Sequence, residues 1–121
     1  QYKPSQFEVA AALYSAGMND SALVALNDYE KSHSFTMAGG ILKSNIYMKI
    51  KDFNGAINEI SKVLTLDEGN YNLWLLLGDL NLQLTPPNVE NAYAAYKKAN
   101  YYGPNDGRLT AKLDYLKKFV K

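Results

Sequence analysis

The chain has 121 residues and a formal net charge of +1, from 13 Lys and Arg against 12 Asp and Glu. This length suits one domain with a modest core, and the near-zero charge excludes a whole-protein field that would steer nucleic acid or an anionic membrane. No apolar run approaches the roughly 18 residues of a membrane span, and the absence of cysteine removes disulfides and thiolate sites.

Seven helices of roughly 12 to 15 residues are predicted along the chain. Helix stops fall at Gly17, Lys51–Asp52, Glu68–Asn70 and Gly103–Gly107, with a further break at Pro86–Pro87. They delimit helices near 5–16, 19–32, 37–50, 53–65, 71–84, 89–102 and 107–120. Asn54–Gly55 alone favours a hairpin turn. We predict a helix there because Asp52 can cap it and the apolar spacing that follows is helical.

A repeat of about 34 residues groups these helices into pairs. Small residues form two series at this spacing: Ala10, Ser44 and Gly78, then Ala22, Ala56 and Ala92. Small side chains on adjacent helices let the two backbones approach closely. Larger residues follow the second series on the same helix stripe: Leu26, Ile60, Tyr96, Tyr29, Val63 and Ala99. The pattern predicts an all-α solenoid of three antiparallel helix pairs and one further helix.

The third pair contains aromatic, small and proline residues at a fixed spacing: Trp74-x2-Leu77-Gly78, Ala92-x3-Tyr96, Ala99 and Pro104. This motif resembles the tetratricopeptide repeat, and the other two pairs resemble it more weakly. The resemblance covers residues 3–106. It implies one domain over 1–121, a right-handed α-solenoid with repeats at about 3–36, 37–70 and 71–106, and a capping helix at about 107–121. Asn81 departs from the family, which usually has tyrosine there.

The resemblance also implies a concave surface lined by the first helix of each pair and by the cap. The register of the family gives eleven partner-binding positions: Phe7, Tyr14, Ile41, Asn45, Met48, Leu75, Asp79, Leu82, Arg108, Lys112 and Tyr115. A mostly apolar strip of this kind favours a protein or peptide partner, such as an amphipathic helix. The alternative is that so short an array does not open, and Phe7, Ile41 and Leu75 pack on each other.

Two further functions stay open. Self-association through Tyr101, Tyr102 and exposed cap residues would make the chain a homodimeric scaffold domain of a larger protein. Some members of the family grip a C-terminal carboxylate with basic and Asn residues, and Asn45, Arg108 and Lys112 match part of that set. Ile41 and Leu76 replace two of its polar donors, which disfavours a carboxylate-clamp co-chaperone.

The basic residues near the C-terminus form the one concentration of charge, at Lys97, Lys98, Lys112, Lys117, Lys118 and Lys121. Neither a Gly-rich cradle nor alternating basic and aromatic residues accompany it. We therefore interpret it as a solvated face and predict no nucleic-acid partner.

No catalytic triad, carboxylate pair, phosphate loop or metal-ligand spacing can be assembled from the sequence, so we predict no enzyme activity, no metal and no cofactor. The chain begins at Gln1, and we expect a fragment or processed protein whose targeting segment is missing. Cytoplasm and bacterial periplasm both suit a chain without cysteine. Many similar arrays belong to bacterial envelope or secretion assemblies.

Overall fold

The computed structural model describes residues 5–104 and 106–120, so residues 1–4, Asn105 and Lys121 of the predicted domain lie outside the description. Within it the chain forms helices and no strand: α1 (Gln6–Ser15), α2 (Asn19–His33), α3 (Met37–Lys49), α4 (Phe53–Leu66), α5 (Tyr71–Gln83), α6 (Val89–Tyr102) and α7 (Gly107–Lys117). The predicted all-α class is confirmed. Only α7 differs by more than one residue from its predicted bounds, since a turn at 118–119 follows Lys117.

Short polar side chains accept backbone N–H bonds at the start of six of these helices, which satisfies donors that a helix leaves unpaired. The capping residues are Ser5, Thr36, Asp52, Asn70, Asn88 and Asp106. The Asp52 carboxylate accepts from the N–H of Gly55 at 3.0 Å. This bond commits Asn54–Gly55 to the first turn of α4 rather than to a hairpin.

The chain divides into two compact units between Val63 and Leu64. In the first unit, α1 packs against α2 and α3 around a core of Ala10, Ala22, Leu26 and Ile46. In the second, α6 packs against α5 and α7 around Ala92, Tyr96, Ala99, Leu109 and Leu116. The six small residues of the predicted repeat are all buried. The right-handed sense, the division into three pairs and the single domain stay predictions. No described helix has the length and apolar character of a membrane span.

A buried ion cluster joins α2, α3 and α4 in the first unit. The ammonium of Lys43 lies 3.1 Å from the Glu30 carboxylate and 3.7 Å from that of Glu59, and Lys62 approaches Glu59 at 3.1 Å. Lys43 is 6% exposed and Glu59 is 5% exposed. One oxygen of Glu30 and one of Glu59 are buried without a hydrogen bond. Such a cluster tolerates the loss of Lys43 badly, because the carboxylates of Glu30 and Glu59 are largely buried.

We predict that Lys43→Ala lowers the free energy of unfolding by about 3 kcal/mol, since two largely buried carboxylates lose their shared cation. Urea denaturation followed by circular dichroism measures this. Lys49→Ala, on the same helix but exposed, is the matched control and should change stability by less than about 0.5 kcal/mol. Equal stabilities of the two variants would contradict the structural role of the cluster.

Helices α5 and α6 approach most closely where the ring of Tyr96 covers Gly78. A Cβ atom at position 78 would lie 2.7 Å from two ring carbons of Tyr96, closer than side chains pack. We predict that Gly78→Ala destabilises the protein by about 2 kcal/mol through overpacking, although alanine favours a helix by about 1 kcal/mol over glycine. Gly107→Ala is the control, because a Cβ there meets nothing within 4 Å. Thermal unfolding that ranks Gly78→Ala at or above the parent chain would refute the close approach.

Candidate functional site

A cleft of about 190 Å³ lies between α5 and α7 in the second unit. Helix α5 contributes Leu75 and Asp79, and α7 contributes Arg108, Leu109 and Lys112, with Asp106 at its N-terminus. Arg108 and Lys112 are four residues apart and therefore neighbours on the helix surface. Leu109 and Leu116 of α7 are buried in the core with α6. Their burial orients α7 so that Arg108 and Lys112 lie beside α5. This arrangement brings together four of the eleven predicted residues.

The carboxylate of Asp79 is the centre of the polar contacts in this cleft. It accepts a hydrogen bond from the hydroxyl of Tyr96, and the Lys112 ammonium lies 3.7 Å from it. The same ammonium lies 4.9 Å from the centre of the Tyr96 ring, in range of a cation–π interaction. Burial, and then the hydrogen bond and charge of Asp79, raise the pKa of the Tyr96 hydroxyl. The neutral phenol thus stays a donor and fixes Asp79 in the wall of the cleft.

Of the two cations in the cleft, only Lys112 is engaged by a carboxylate. The Arg108 guanidinium has no side-chain hydrogen bond or ion pair within residues 5–104 and 106–120, and the Asp106 carboxylate caps α7 by accepting from the backbone N–H of Arg108 at 2.9 Å. Arg108 therefore presents its donors to the cleft, where they suit a carboxylate or carbonyl of a ligand.

Apolar side chains continue the predicted strip beyond the cleft. Leu75 and Leu82 are partly buried against the core of the second unit. Tyr115 is 59% exposed and packs on Phe119, which is 57% exposed, at a ring separation of 5.3 Å. Phe119 also borders a cavity of about 400 Å³ beside Pro86, Pro87 and Val89. The second unit therefore offers a charged cleft and exposed aromatic surface.

The five predicted residues of the first unit differ in environment. Phe7 and Tyr14 pack against the core of that unit, and the Phe7 ring lies 5.9 Å from that of Tyr29. Ile41 is exposed on α3, while Asn45 and Met48 are half-buried. Phe7 and Tyr14 thus take part in packing within the unit. A single groove through all eleven residues stays a prediction.

Sequence reasoning missed several residues of the cleft and its support. Asp106 and Leu109 line it. The sequence predicted only that Asp106 belongs to a break between helices. Asn81, the unexplained departure from the repeat, is buried, and its amide donates to the carbonyl of Leu77 at 2.8 Å. The backbone carbonyl of Asn81 accepts from the N–H of Asn88 at 2.9 Å. The side-chain amide of Asn81 thus bonds within its own helix, one turn back, and the backbone of the same residue helps to close the turn after α5.

No protein-family model matches the sequence, and no curated protein matches it significantly. Solved structures do. The first TPR of Spaghetti (RPAP3), bound to the HSP90 peptide SRMEEVD, superposes with a TM-score of 0.70 at 16% identity, covering 94% of this chain and 89% of that one. MamA AMB-1 superposes with a TM-score of 0.78 at 17% identity, covering 94% of this chain and 61% of that one. The chain has the tetratricopeptide repeat fold. At these identities the likeness concerns the fold alone.

In this tetratricopeptide repeat fold the pair formed by α5 and α6 carries the motif that the sequence predicted. Gly78, Ala92, Tyr96 and Ala99 are buried where the two helices meet. The indole N–H of Trp74 donates to the carbonyl of Glu68 at 2.6 Å, which fastens the turn before α5. Among the described residues, no group of three His, Asp or Glu side chains could hold a metal ion.

The raised pKa of Tyr96 predicts how stability depends on pH. Its folded-state pKa lies above the ordinary value of about 10 for tyrosine, so folding favours the neutral phenol. This contribution is complete below about pH 10 and is lost as the pH rises above it. We expect the free energy of unfolding of Tyr96→Phe to fall less steeply above pH 10 than that of the parent chain.

Urea denaturation between about pH 7 and pH 11 tests this difference, because the range spans the ordinary pKa of tyrosine. Tyr101→Phe removes an exposed phenol and is the control, which should follow the parent curve. If Tyr96→Phe also follows it, the Tyr96 hydroxyl does not hold its proton through Asp79 and burial.

Proposed function

We propose that the chain is a protein-interaction module whose second unit binds a peptide or helix of a partner in the cleft between α5 and α7. The observation that carries the proposal is that Leu75, Asp79, Arg108 and Lys112, chosen from the repeat register, line one cleft. A solved tetratricopeptide repeat neighbour holds a peptide, which supports a peptide ligand as the chemical class. The proposal assigns no catalytic residue and no cofactor.

The groups in the cleft suit a segment that combines an apolar side chain with one acidic or carbonyl group. Leu75 and Leu109 offer apolar contact, and Arg108 offers planar donors with no partner among the described residues. Lys112 is already paired with Asp79, at 3.7 Å. A single available cation favours one anchoring acceptor over a carboxylate-clamp ligand, which needs several charge-assisted donors at once.

Self-association stays the second candidate, and the aromatic pair Tyr115 and Phe119 favours it. Both rings are more than half exposed, and exposed aromatic side chains are typical of contact surfaces. Analytical ultracentrifugation over a hundredfold range of concentration distinguishes the two functions. A monomer at every concentration excludes the homodimer and leaves the peptide-binding proposal intact.

We predict that Arg108→Glu weakens partner binding about tenfold or more, which corresponds to the loss of a charge-assisted hydrogen bond plus repulsion. A partner is first identified by affinity capture and mass spectrometry, and its binding segment is then measured as a purified peptide by calorimetry. Arg108 is exposed near the start of α7, where an acidic residue suits the helix dipole, so the variant should fold.

Lys117→Glu is the control, because Lys117 is exposed on the same helix and does not line the cleft. Ile41→Asp forms a separate arm that tests the predicted continuation of the groove onto α3. A purified segment that binds Arg108→Glu and the parent chain equally would remove the α5–α7 cleft as the binding site. Unchanged binding by Ile41→Asp would confine the site to the second unit.

A further inference from the structure

The solvent-facing side of α6 carries a second surface that shares no residue with the α5–α7 cleft. Ala94, Lys97, Lys98 and Tyr101 follow one another at intervals of three, one and three residues, which places them on one face of the helix. Together with Asn100 and Tyr102 they border an open depression of about 730 Å³. We call Ala94, Lys97, Lys98 and Tyr101 the α6 face.

The α6 face carries positive charge that is not paired with any carboxylate in the described part of the chain. Lys97 and Lys98 form no ion pair within residues 5–104 and 106–120, and no acidic residue borders the depression. The Lys97 ammonium lies 5.5 Å from the centre of the Tyr93 ring. The Lys98 ammonium lies 6.0 Å from the centre of the Trp74 ring. Both side chains therefore lie against aromatic rings, so less rotamer entropy is lost when they bind an anion.

An exposed and oriented tyrosine stands next to these lysines. Tyr101 is 80% exposed and meets the Tyr102 ring edge-on at 4.9 Å. Tyr102 is itself half-buried, so the exposed Tyr101 ring packs on a partly enclosed neighbour. Nothing among the described residues covers Tyr101, although exposed aromatic side chains of this kind are over-represented at protein contacts.

We propose that the α6 face is a second docking surface and that its occupant is an acidic segment of a partner protein with an apolar side chain between its carboxylates. The apolar side chain fits over Ala94 and the ring of Tyr101, where the small methyl group leaves room. The flanking carboxylates reach Lys97 and Lys98. The nearest acidic residue along the helix is Glu90, one turn before Ala94, so the partner supplies the missing charge.

Charge and chemistry favour a protein segment over nucleic acid at this surface. Two lysines neutralise two phosphates at most, while nucleic-acid affinity comes from many such contacts. The whole chain has a net charge of only +1. A peptide segment with two carboxylates and one apolar side chain, in contrast, can pair with both lysines and also contact the apolar surface of Ala94 and Tyr101.

The probe is a fluorescein-labelled hexapeptide, acetyl-Asp-Glu-Leu-Phe-Glu-Asp-amide, measured by fluorescence anisotropy against the full chain. We expect micromolar binding that weakens when salt rises from about 0.05 M to about 0.3 M, because exposed charges are screened. The double change Lys97→Glu and Lys98→Glu should weaken binding by at least about tenfold, through lost pairs and new repulsion. Tyr101→Ala should weaken it about fivefold by removing aromatic contact.

The matched control is Lys49→Glu with Lys117→Glu, which makes the same change of net charge at exposed positions outside the α6 face. It should bind within about twofold of the parent chain, since distant surface charges are screened. Amide resonances of residues 94–102 should shift in nuclear magnetic resonance titrations, while those of Leu75 and Leu109 should not. Arg108→Glu should leave this binding unchanged, which separates the α6 face from the α5–α7 cleft.

Four outcomes would overturn the proposal. A control peptide in which Asn and Gln replace the Asp and Glu residues could bind as tightly as the acidic peptide. The shifts could fall on the α5–α7 cleft instead of α6. A single-stranded oligonucleotide could bind the α6 face more tightly than the peptide. The chain could dimerise through Tyr101, which sedimentation of Tyr101→Ala against the parent chain would show.

Discussion

The contact between Gly78 and Tyr96 determines the geometry of the second unit. Because position 78 has no side chain, the buried ring of Tyr96 lies directly on α5. From there its hydroxyl reaches the Asp79 carboxylate, and Lys112 on α7 meets both that carboxylate and the ring. One aromatic side chain thus connects three helices and fixes two walls of the cleft, so packing and site geometry have a common origin.

The sequence predicted those features that depend on local or periodic information. Helix bounds followed from caps and breakers, as at Asp52, whose carboxylate receives the N–H of Gly55. The two series of small residues that end at Gly78 and Ala92 predicted where adjacent helices pack against each other, because only small residues allow so close an approach. The repeat register rather than chemistry selected Leu75, Asp79, Arg108 and Lys112, which line one cleft, and their role in partner binding stays a prediction.

What the sequence did not reveal depends on contacts between distant residues. Lys43 looks like any surface lysine on an amphipathic helix, yet Glu30 on α2 and Glu59 on α4 surround it. The lysines of α6 were interpreted as a solvated face. Lys97 contacts Tyr93 on its own helix, but Lys98 contacts Trp74 on α5, and that contact could be recognised only in the folded structure. At Phe7 the repeat register predicted a groove position but did not reveal that the ring packs near Tyr29.

The two surfaces of the second unit suit different ligands because their charges are balanced differently. In the cleft, Lys112 already pairs with Asp79, so a ligand gains chiefly from Arg108 and from apolar contact. On the α6 face neither lysine pairs with a carboxylate of the described residues, so an acidic ligand gains from each. No residue is common to the two surfaces, and neither ligand would displace the other. A partner with a segment for each would bind the second site at the high effective concentration set by its linker, and so more tightly than either segment alone.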